Sequence, residues 1–547
     1  MTSVNSRAAS LNTFCVFFVT PAYASQLLNG NDFLNVAIRA AYRALLTKPD
    51  VVIDVLCAVV HKLPVTRAVR NENGVLSRHE LERLGLEPPV AGTGFEGMAY
   101  ALLDPNASVS SKHLPPSDNG AIDFITAQHV SKGSLHLDTL RLPLANTVFQ
   151  TGTTTTMFLS QWKTTGRMDG IDLISRTNVS HHGIRITPPP KSYSKLVTAL
   201  SIPLIPLTVP RIVQGCMGNI IRQIVDSKGQ SVQASSELES VVPRFFRSRG
   251  QPAQATVAWA LVIPGHLKDT MTSRTEHLLA NLPTEDVAAS VKQKDIWELL
   301  WRSKPPMWNN LVSEALAEGA RLHRVLSGGG GWGKKAGLLS LDPVPTNQAT
   351  ESSDDALLET DNDPEDFEST LTPVVQAGDS IQFFISPKSD LSQEASRSDN
   401  LKALESFPTD QACGPWGWEI GTIPSTVDSI PGESWQHRPL QGDDEITDFR
   451  GATVFRGGFG ALTEGALTLT QHSMVWDEVT PRPVNTTMID VPFSRLWAVN
   501  WREGKIPVRE RPSESTRKFK QIKFLDAPPV LISTEDTSVI SRDQRFL

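Results

Sequence analysis

The chain has 547 residues, 39% of them hydrophobic, and its 52 basic and 59 acidic residues leave a formal charge of −7. That length holds two or three domains with ample apolar material for their cores, and so small a charge argues against a whole-protein basic field for nucleic acid. The 4 cysteines, Cys15, Cys57, Cys216 and Cys413, are far apart, which argues against a disulfide framework or zinc site and fits a reducing compartment. No apolar run approaches the ~20 residues of a membrane-spanning helix.

Residues 13–20, T-F-C-V-F-F-V-T, the helical pattern from Asp32 to Leu46 and the run V-V-I-D-V-L-C-A-V-V at 51–60 predict strand, helix, strand. Leu11 to Val19 before Ala22-Tyr23-Ala24 mimics a cleavable leader, but a cut after Ala24 would remove the first strand. The first 31 residues lack Asp and Glu and hold several Ser and Thr with one Arg, which is compatible with a mitochondrial presequence; a cytoplasmic location is the alternative. A short helix at Ser77–Leu84 and strands at Phe95–Leu103, Leu135–Leu144, Asn146–Gln150 and Thr154–Ser160 follow, with the Thr-rich run Thr151–Thr156 expected in a sheet. His181 and His182 are neighbours on a strand, so they point to opposite faces and do not share a metal.

A strand–turn–helix is expected at 205–225, where Gly215 and Gly218 permit a sharp turn and free N–H groups near Asn219 face an anion at a helix N-terminus. The alternative is an ordinary β–α turn. Cys216 in that turn would have a lowered thiol pKa. After a strand at Ala255–Ile263, two helices, Glu285–Trp301 and Trp308–Leu326, form a hairpin around a tryptophan cluster. The glycine run S-G-G-G-G-W-G-K-K follows from Ser327. Gly328, four residues, Gly333 and Lys334 reproduce most of the phosphate-wrapping pattern G-x-x-x-x-G-K, but Lys335 stands where a magnesium-binding hydroxyl belongs. That pattern also follows a strand and opens a helix, whereas a helix is expected upstream here. The candidate anion-binding residues are Gly215, Gly218, Asn219, Gly328, Gly331, Trp332, Gly333, Lys334 and Lys335.

Glu351 to Glu368 carries acidic residues without Lys or Arg, so 343–371 reads as a disordered linker. A strand at Asp379–Ile385, a polar insertion at 386–410 and a Gly- and Trp-rich β region complete the chain. Arg244-Phe245-Phe246-Arg247-Ser248-Arg249 and Arg517 to Lys523 interleave charge with aromatics, making Arg244, Arg247, Arg249, Lys518 and Lys520 candidates for RNA contact. The alternative is a solvated face with phenylalanines turned inward. The fold expected is mixed α/β with β-α-β units, a helical hairpin and a β-rich end, divided as 10–133, 134–342, the linker 343–371 and 372–530. There is no G-x-S-x-G, no H-E-x-x-H and no G-x-G-x-x-G after a strand, which leaves an enzyme assembled from distant residues, with Cys216 as its nucleophile, as a further alternative and leaves any cofactor unknown.

The stretches F-C-V-F-F-V-T-P, V-L-C-A-V-V-H-K-L-P and G-F-E-G-M-A-Y-A-L-L-D-P resemble the opening strands of FIST-type sensory domains over residues 10–105. The resemblance implies a non-catalytic domain that binds a small polar ligand or a partner protein, and it carries over no ligand residue. The phrases L-P-L-A-N-T-V-F-Q-T-G at 142–152 and H-R-V-L-S-G-G-G-G-W-G-K-K-A-G-L-L-S-L-D-P at 323–343 resemble an uncharacterised fungal family, in part mitochondrial. That second resemblance implies a role near organellar RNA or translation.

Overall fold

The computed structural model describes residues 13–28, 32–64, 70–71, 74–75, 94–111, 120–131, 134–167, 170–187, 194–252, 254–282, 293–303, 310–328, 337–343, 374–386, 417–425, 458–475, 482–502 and 530–532. β1 (Phe14–Val19) is buried along its whole length, as an unbroken apolar run requires of a strand covered on both faces. α1 (Ala24–Leu28) and α2 (Asp32–Ala41) lead to β2 (Pro49–Val59), which runs parallel to β1 with Phe17 opposite Cys57. β3 (Met98–Leu103) lies antiparallel on the other edge of β1. The first strand is therefore interior to its sheet, and a cut after Ala24 would delete it. The expected helix at Ser77–Leu84 lies outside the described residues.

β4 (Ala121–Ser131) and β5 (Ser134–Pro143) form a hairpin. β6 (Met157–Thr165) and β7 (Ile171–Asn178) return to the first sheet in the order β7–β6–β2–β1–β3, with Val530–Ile532 beside β3. No strand forms at Asn146–Gln150, and Thr151–Thr156 lies in no sheet before Thr156 gives way to β6. Instead the Asn146 Oδ1 accepts the Val148 N–H at 3.0 Å, the Thr147 hydroxyl donates to the Thr153 carbonyl at 2.9 Å, and a turn of helix, Val148–Thr151, ends at Gly152 with φ 77°. Short hydroxyl and amide side chains bond their own backbone here in preference to a ladder. β8 (His181–Arg185) runs parallel to β4, and β9 (Ser194–Ser201) follows.

The middle of the chain builds a ring. β10 (Arg211–Met217), β11 (Ile220–Val225), α3 (Ser236–Ser248), β12 (Ala258–Ile263), α4 (Lys268–Ala280), α5 (Gln293–Arg302), α6 (Leu311–Ala317), β13 (Arg321–Gly328), β14 (Leu339–Leu341) and β15 (Ser380–Ile385) succeed one another. Antiparallel pairings run β15–β10–β11–β14–β13–β12 and return from β12 to β15, closing six strands on themselves. One side of this ring, with Val213, Ile221, Val262 and Phe383, packs with Phe245 and Phe246 of α3 and Leu300 and Trp301 of α5. On the other side Trp259, Leu261, Leu322 and Phe384 join α4 and α6 in the largest core, shared with Phe14, Val16 and Phe18 of β1 and Ile122 and Phe124 of β4.

Two expected helices are corrected. Residues 219–225 are not a helix after a strand but the second arm of the β10–β11 hairpin. The helix expected over Trp308–Leu326 ends at Ala317; Gly319 takes φ 102°, a left-handed exit open to glycine, and the chain turns into β13. The first helix of that pair is Gln293–Arg302.

β16 (Gly417–Thr422), β17 (Gly458–Thr463), β18 (Leu467–Val475), β19 (Arg482–Ile489) and β20 (Arg495–Arg502) make the C-terminal part predominantly β, as expected. They complete sheets begun upstream: β18 pairs with β5, and β20 pairs with β9 and β16. The expected boundary at 133/134 accordingly falls inside the β4–β5 hairpin, and 372–530 is no separate body of strands. The fold is mixed α+β and strand-rich, and β1–β2 is the one parallel pair joined through described helices. Residues 344–371 of the expected linker lie outside the described residues. Among those described, no helix is long and apolar enough to cross a membrane.

Candidate functional site

Gly328, at the end of β13, pairs with Leu339 at the start of β14. The glycine run is thus the connection of a β-hairpin whose two arms belong to the closed ring. Gly331, Trp332, Gly333, Lys334 and Lys335 fall in that connection and outside the described residues. At its foot Gly337 takes φ 80°, its carbonyl accepts the Ser235 N–H at 3.3 Å, and a Cβ there would stand 2.4 Å from the Gln233 side chain. The left-handed φ favours glycine there, and the end of the Gln233 side chain would have to move aside for any other residue. The segment does follow a strand, contrary to the expected helix, but it leads back into a strand. It is therefore not the triphosphate loop, which must open a helix.

Gly215, Gly218 and Asn219 sit in the β10–β11 hairpin, where Gly218, with φ 59°, and Asn219 form the two-residue turn between Met217 and Ile220. No helix N-terminus is present there. Protein groups occupy the turn: the Asn219 Nδ2 donates to the Leu341 carbonyl at 2.7 Å, the Leu341 N–H donates back to the Asn219 carbonyl at 2.9 Å, and the Val374 N–H donates to the Gly218 carbonyl at 3.3 Å. The Cys216 thiol donates to the Val375 carbonyl at 3.3 Å, and burial, with a smaller contribution from Asp379, raises its pKa. The expected thiol activation is reversed because its cause, the helix, is missing. The two predicted glycine sites lie on paired strands, β11 and β14, but at opposite ends of β14: the turn meets Leu341, and the hairpin connection enters at Leu339.

The strand that carries the glycine run holds residues the sequence reading passed over. Arg324 is about a third exposed, at 37%, and its Nη1 lies 4.0 Å from the Asp490 Oδ2, too far for a hydrogen bond. The Trp259 Nε1 donates to the other oxygen of Asp490 at 2.6 Å. Burial raises the Asp490 pKa, and the Trp259 hydrogen bond and the Arg324 charge offset that only in part. On the opposite face of β13 the His323 Nδ1 donates to the Asp342 carbonyl at 2.9 Å, leaving the buried Nε2 without a partner. Burial lowers the His323 pKa to about 4, so the ring is neutral. The alternation R-L-H-R-V-L was the signal for this strand; a helical reading scattered these side chains around a cylinder.

The basic-aromatic patch of α3 is turned to packing. Phe245 and Phe246 are buried, the Arg244 Nε meets Glu298 at 3.3 Å while its guanidinium lies 5.5 Å from the Trp301 ring, and the Arg249 Nη1 donates to the Trp301 carbonyl at 2.8 Å. Arg247 is exposed. Two of the three arginines thus clamp α3 to α5, which matches the alternative of phenylalanines turned inward. Lys518 and Lys520 lie outside the described residues.

His181 and His182 point to opposite faces, as strand geometry demands. The His181 Nε2 donates to the fully buried Asp123 at 2.9 Å, and Arg141 grips the same carboxylate through Nε at 2.9 Å and Nη2 at 3.1 Å. Burial pushes the Asp123 pKa up, but the hydrogen bonds from His181 and Arg141 outweigh it, and the carboxyl is held below its ordinary range. The His182 Nε2 lies 3.0 Å from the Ser108 hydroxyl, and burial lowers the His182 pKa to about 4. Register made the ion cluster: Asp123 faces Arg141 across β4–β5, and β8 lies beside β4. No local motif encodes it. Compared with known protein families, with curated proteins and with solved structures, the chain matches none.

Proposed function

We propose that the protein is a non-catalytic recognition protein, in keeping with its resemblance to FIST-type domains, and that it binds a small anionic ligand through the β13–β14 hairpin. The observation that carries this reading is the setting of the glycine run between two strands of the closed ring. The two ends of the connection are fixed by paired strands, with Gly328 opposite Leu339, and fixed ends lower the entropy lost when a connecting segment orders on binding. Glycines allow the backbone to approach an oxyanion closely, and Lys334 and Lys335 supply the charge. The turn at Gly218 has its carbonyl and the neighbouring groups engaged by residues 341 and 374–375, so it supports the ring and takes no part in the contact. Calorimetric titration of the full chain with inorganic pyrophosphate tests this reading. The double variant Lys334→Ala/Lys335→Ala is expected to bind at least tenfold more weakly with an unaltered circular dichroism spectrum; equal affinity would remove the hairpin from the site.

A further inference from the structure

Among the described residues the most exposed large apolar side chain is Phe149, 97% open to solvent, with Val148 beside it at 41%. Both stand on the single turn of helix at Val148–Thr151. A phenylalanine on a slack loop would fold back onto the nearest apolar surface, but this one is held out. The hydroxyls of Thr147, Thr151 and Thr156 bond one another at 2.8–3.1 Å, Thr153 joins them at 2.9 Å from Thr151, and Gly152 ends the turn at φ 77°. The same network leaves the tip little to offer a polar partner. The N–H groups of Thr147, Val148, Gln150, Thr151, Gly152 and Thr153 are all taken by acceptors within residues 146–154. No Asp, Glu, Lys or Arg occurs in residues 142–162, nor in 13–28, which include α1, the helix packed against the turn.

We infer that this turn docks on a lipid bilayer, with Phe149 inserted at the acyl boundary and Val148 beside it. The inference does not rest on the anion reading above. A protein interface carries roughly one hydrogen bond per 100–200 Å² and takes about 800 Å² from each partner, which one phenylalanine and one valine on a turn with its donors already engaged do not supply. A bilayer asks for the opposite: apolar side chains in front, and backbone polar groups satisfied from within. The missing charge also fixes the kind of surface. With no lysine or arginine on either segment, anionic headgroups add no attraction there, and a zwitterionic bilayer serves equally well. A single aromatic ring makes the contact shallow and reversible.

The test is co-sedimentation of the full chain with vesicles of phosphatidylcholine and, separately, of an equal mixture of phosphatidylcholine and phosphatidylserine, each at low and high salt. The wild type is expected to bind both vesicles alike, with little change as salt rises. Phe149→Ala is expected to bind about tenfold more weakly, from loss of one buried aromatic side chain, and Phe149→Asp not to bind. Phe149→Trp should retain binding, because an indole suits the headgroup level. Circular dichroism of each variant should match the wild type, since the side chain at 149 packs against nothing that folding needs. Failure of the wild type to sediment with either vesicle overturns the inference. Binding confined to the anionic vesicles and unchanged in Phe149→Ala overturns it as well, and places the contact on basic residues elsewhere. A wild-type dimer in analytical ultracentrifugation that Phe149→Ala dissociates, without vesicle binding, would assign the ring to a second copy of the chain instead.

Discussion

Replacing Asp123 with alanine removes the shared hydrogen-bond acceptor of the Arg141 guanidinium and the His181 imidazole. Its carboxylate is fully buried, and the side chains of its partners Arg141 and His181 are 15% and 5% exposed. Three hydrogen bonds, at 2.9, 3.1 and 2.9 Å, are lost together. Each bond to a charged group contributes about 1.5–3 kcal/mol, and breaking a buried pair from one side typically costs about 3–5 kcal/mol because the remaining charge is left unpaired. Limited hydration of Arg141 through its exposed edge offsets part of the gross loss. The net expectation is therefore about 3–5 kcal/mol for Asp123→Ala and about 2 kcal/mol for Asp123→Asn, which retains the volume and one acceptor. Urea unfolding followed by circular dichroism reads both values, and the double variant Asp123→Ala/Arg141→Ala should cost less than the sum of its parts. Destabilisation below about 1 kcal/mol in both single variants would refute the claim that this cluster ties β4, β5 and β8 together. The pH dependence has a definite sign. The folded pKa lies below the ordinary value of 3.8, so the contribution is complete above that value and is lost as pH falls through and below it.

Burial of neutral imidazoles acts at higher pH. His182 and His323 are lowered from 6.5 to about 4, so each gives stability that is complete above pH 6.5 and is lost as pH falls toward 4. Each accounts for about 3 kcal/mol across that window, and His323→Gln should flatten the acid limb of the stability curve. Arg249→Ala should lower the thermal midpoint by loosening α3 from α5, whereas RNA affinity, if any is measured, should not depend on it. Cys15 and Cys57, fully buried with thiol pKa values raised by burial, should resist a thiol reagent in the native state, and Cys216 should react more slowly than a free cysteine at pH 7.

Local pattern was a good guide wherever an element was buried on its own terms. The first strand, β2, β3, β12, β15 and the C-terminal strands were legible because continuous apolar or alternating runs leave few other conformations. The two corrected helices share a cause: a glycine whose conformation, not its frequency, mattered. Gly218-Asn219 is a hairpin dipeptide, but the isoleucines after it also suit a helix, and only pairing with β14 decides between them. At Gly319 the leucine spacing continues past the helix end by coincidence, so Leu322 satisfies both periods. The threonine loop went astray because β propensity describes fit to a pleated surface, and these side chains had nearer backbone partners. Arg324, Asp490 and Trp259 are separated by up to 231 positions, and Asp123 and His181 by 58, so their meeting belongs to sheet order and register, which no single segment specifies.

The most direct test is a native mass spectrum of the full chain purified from its own host, beside the Lys334→Ala/Lys335→Ala variant prepared in the same way. Recognition of a small anion predicts a discrete added mass of about a few hundred daltons on the wild type, at the scale of small-molecule sites, that is absent from the variant. A bare wild-type mass, or an adduct that both proteins retain equally, would contradict it.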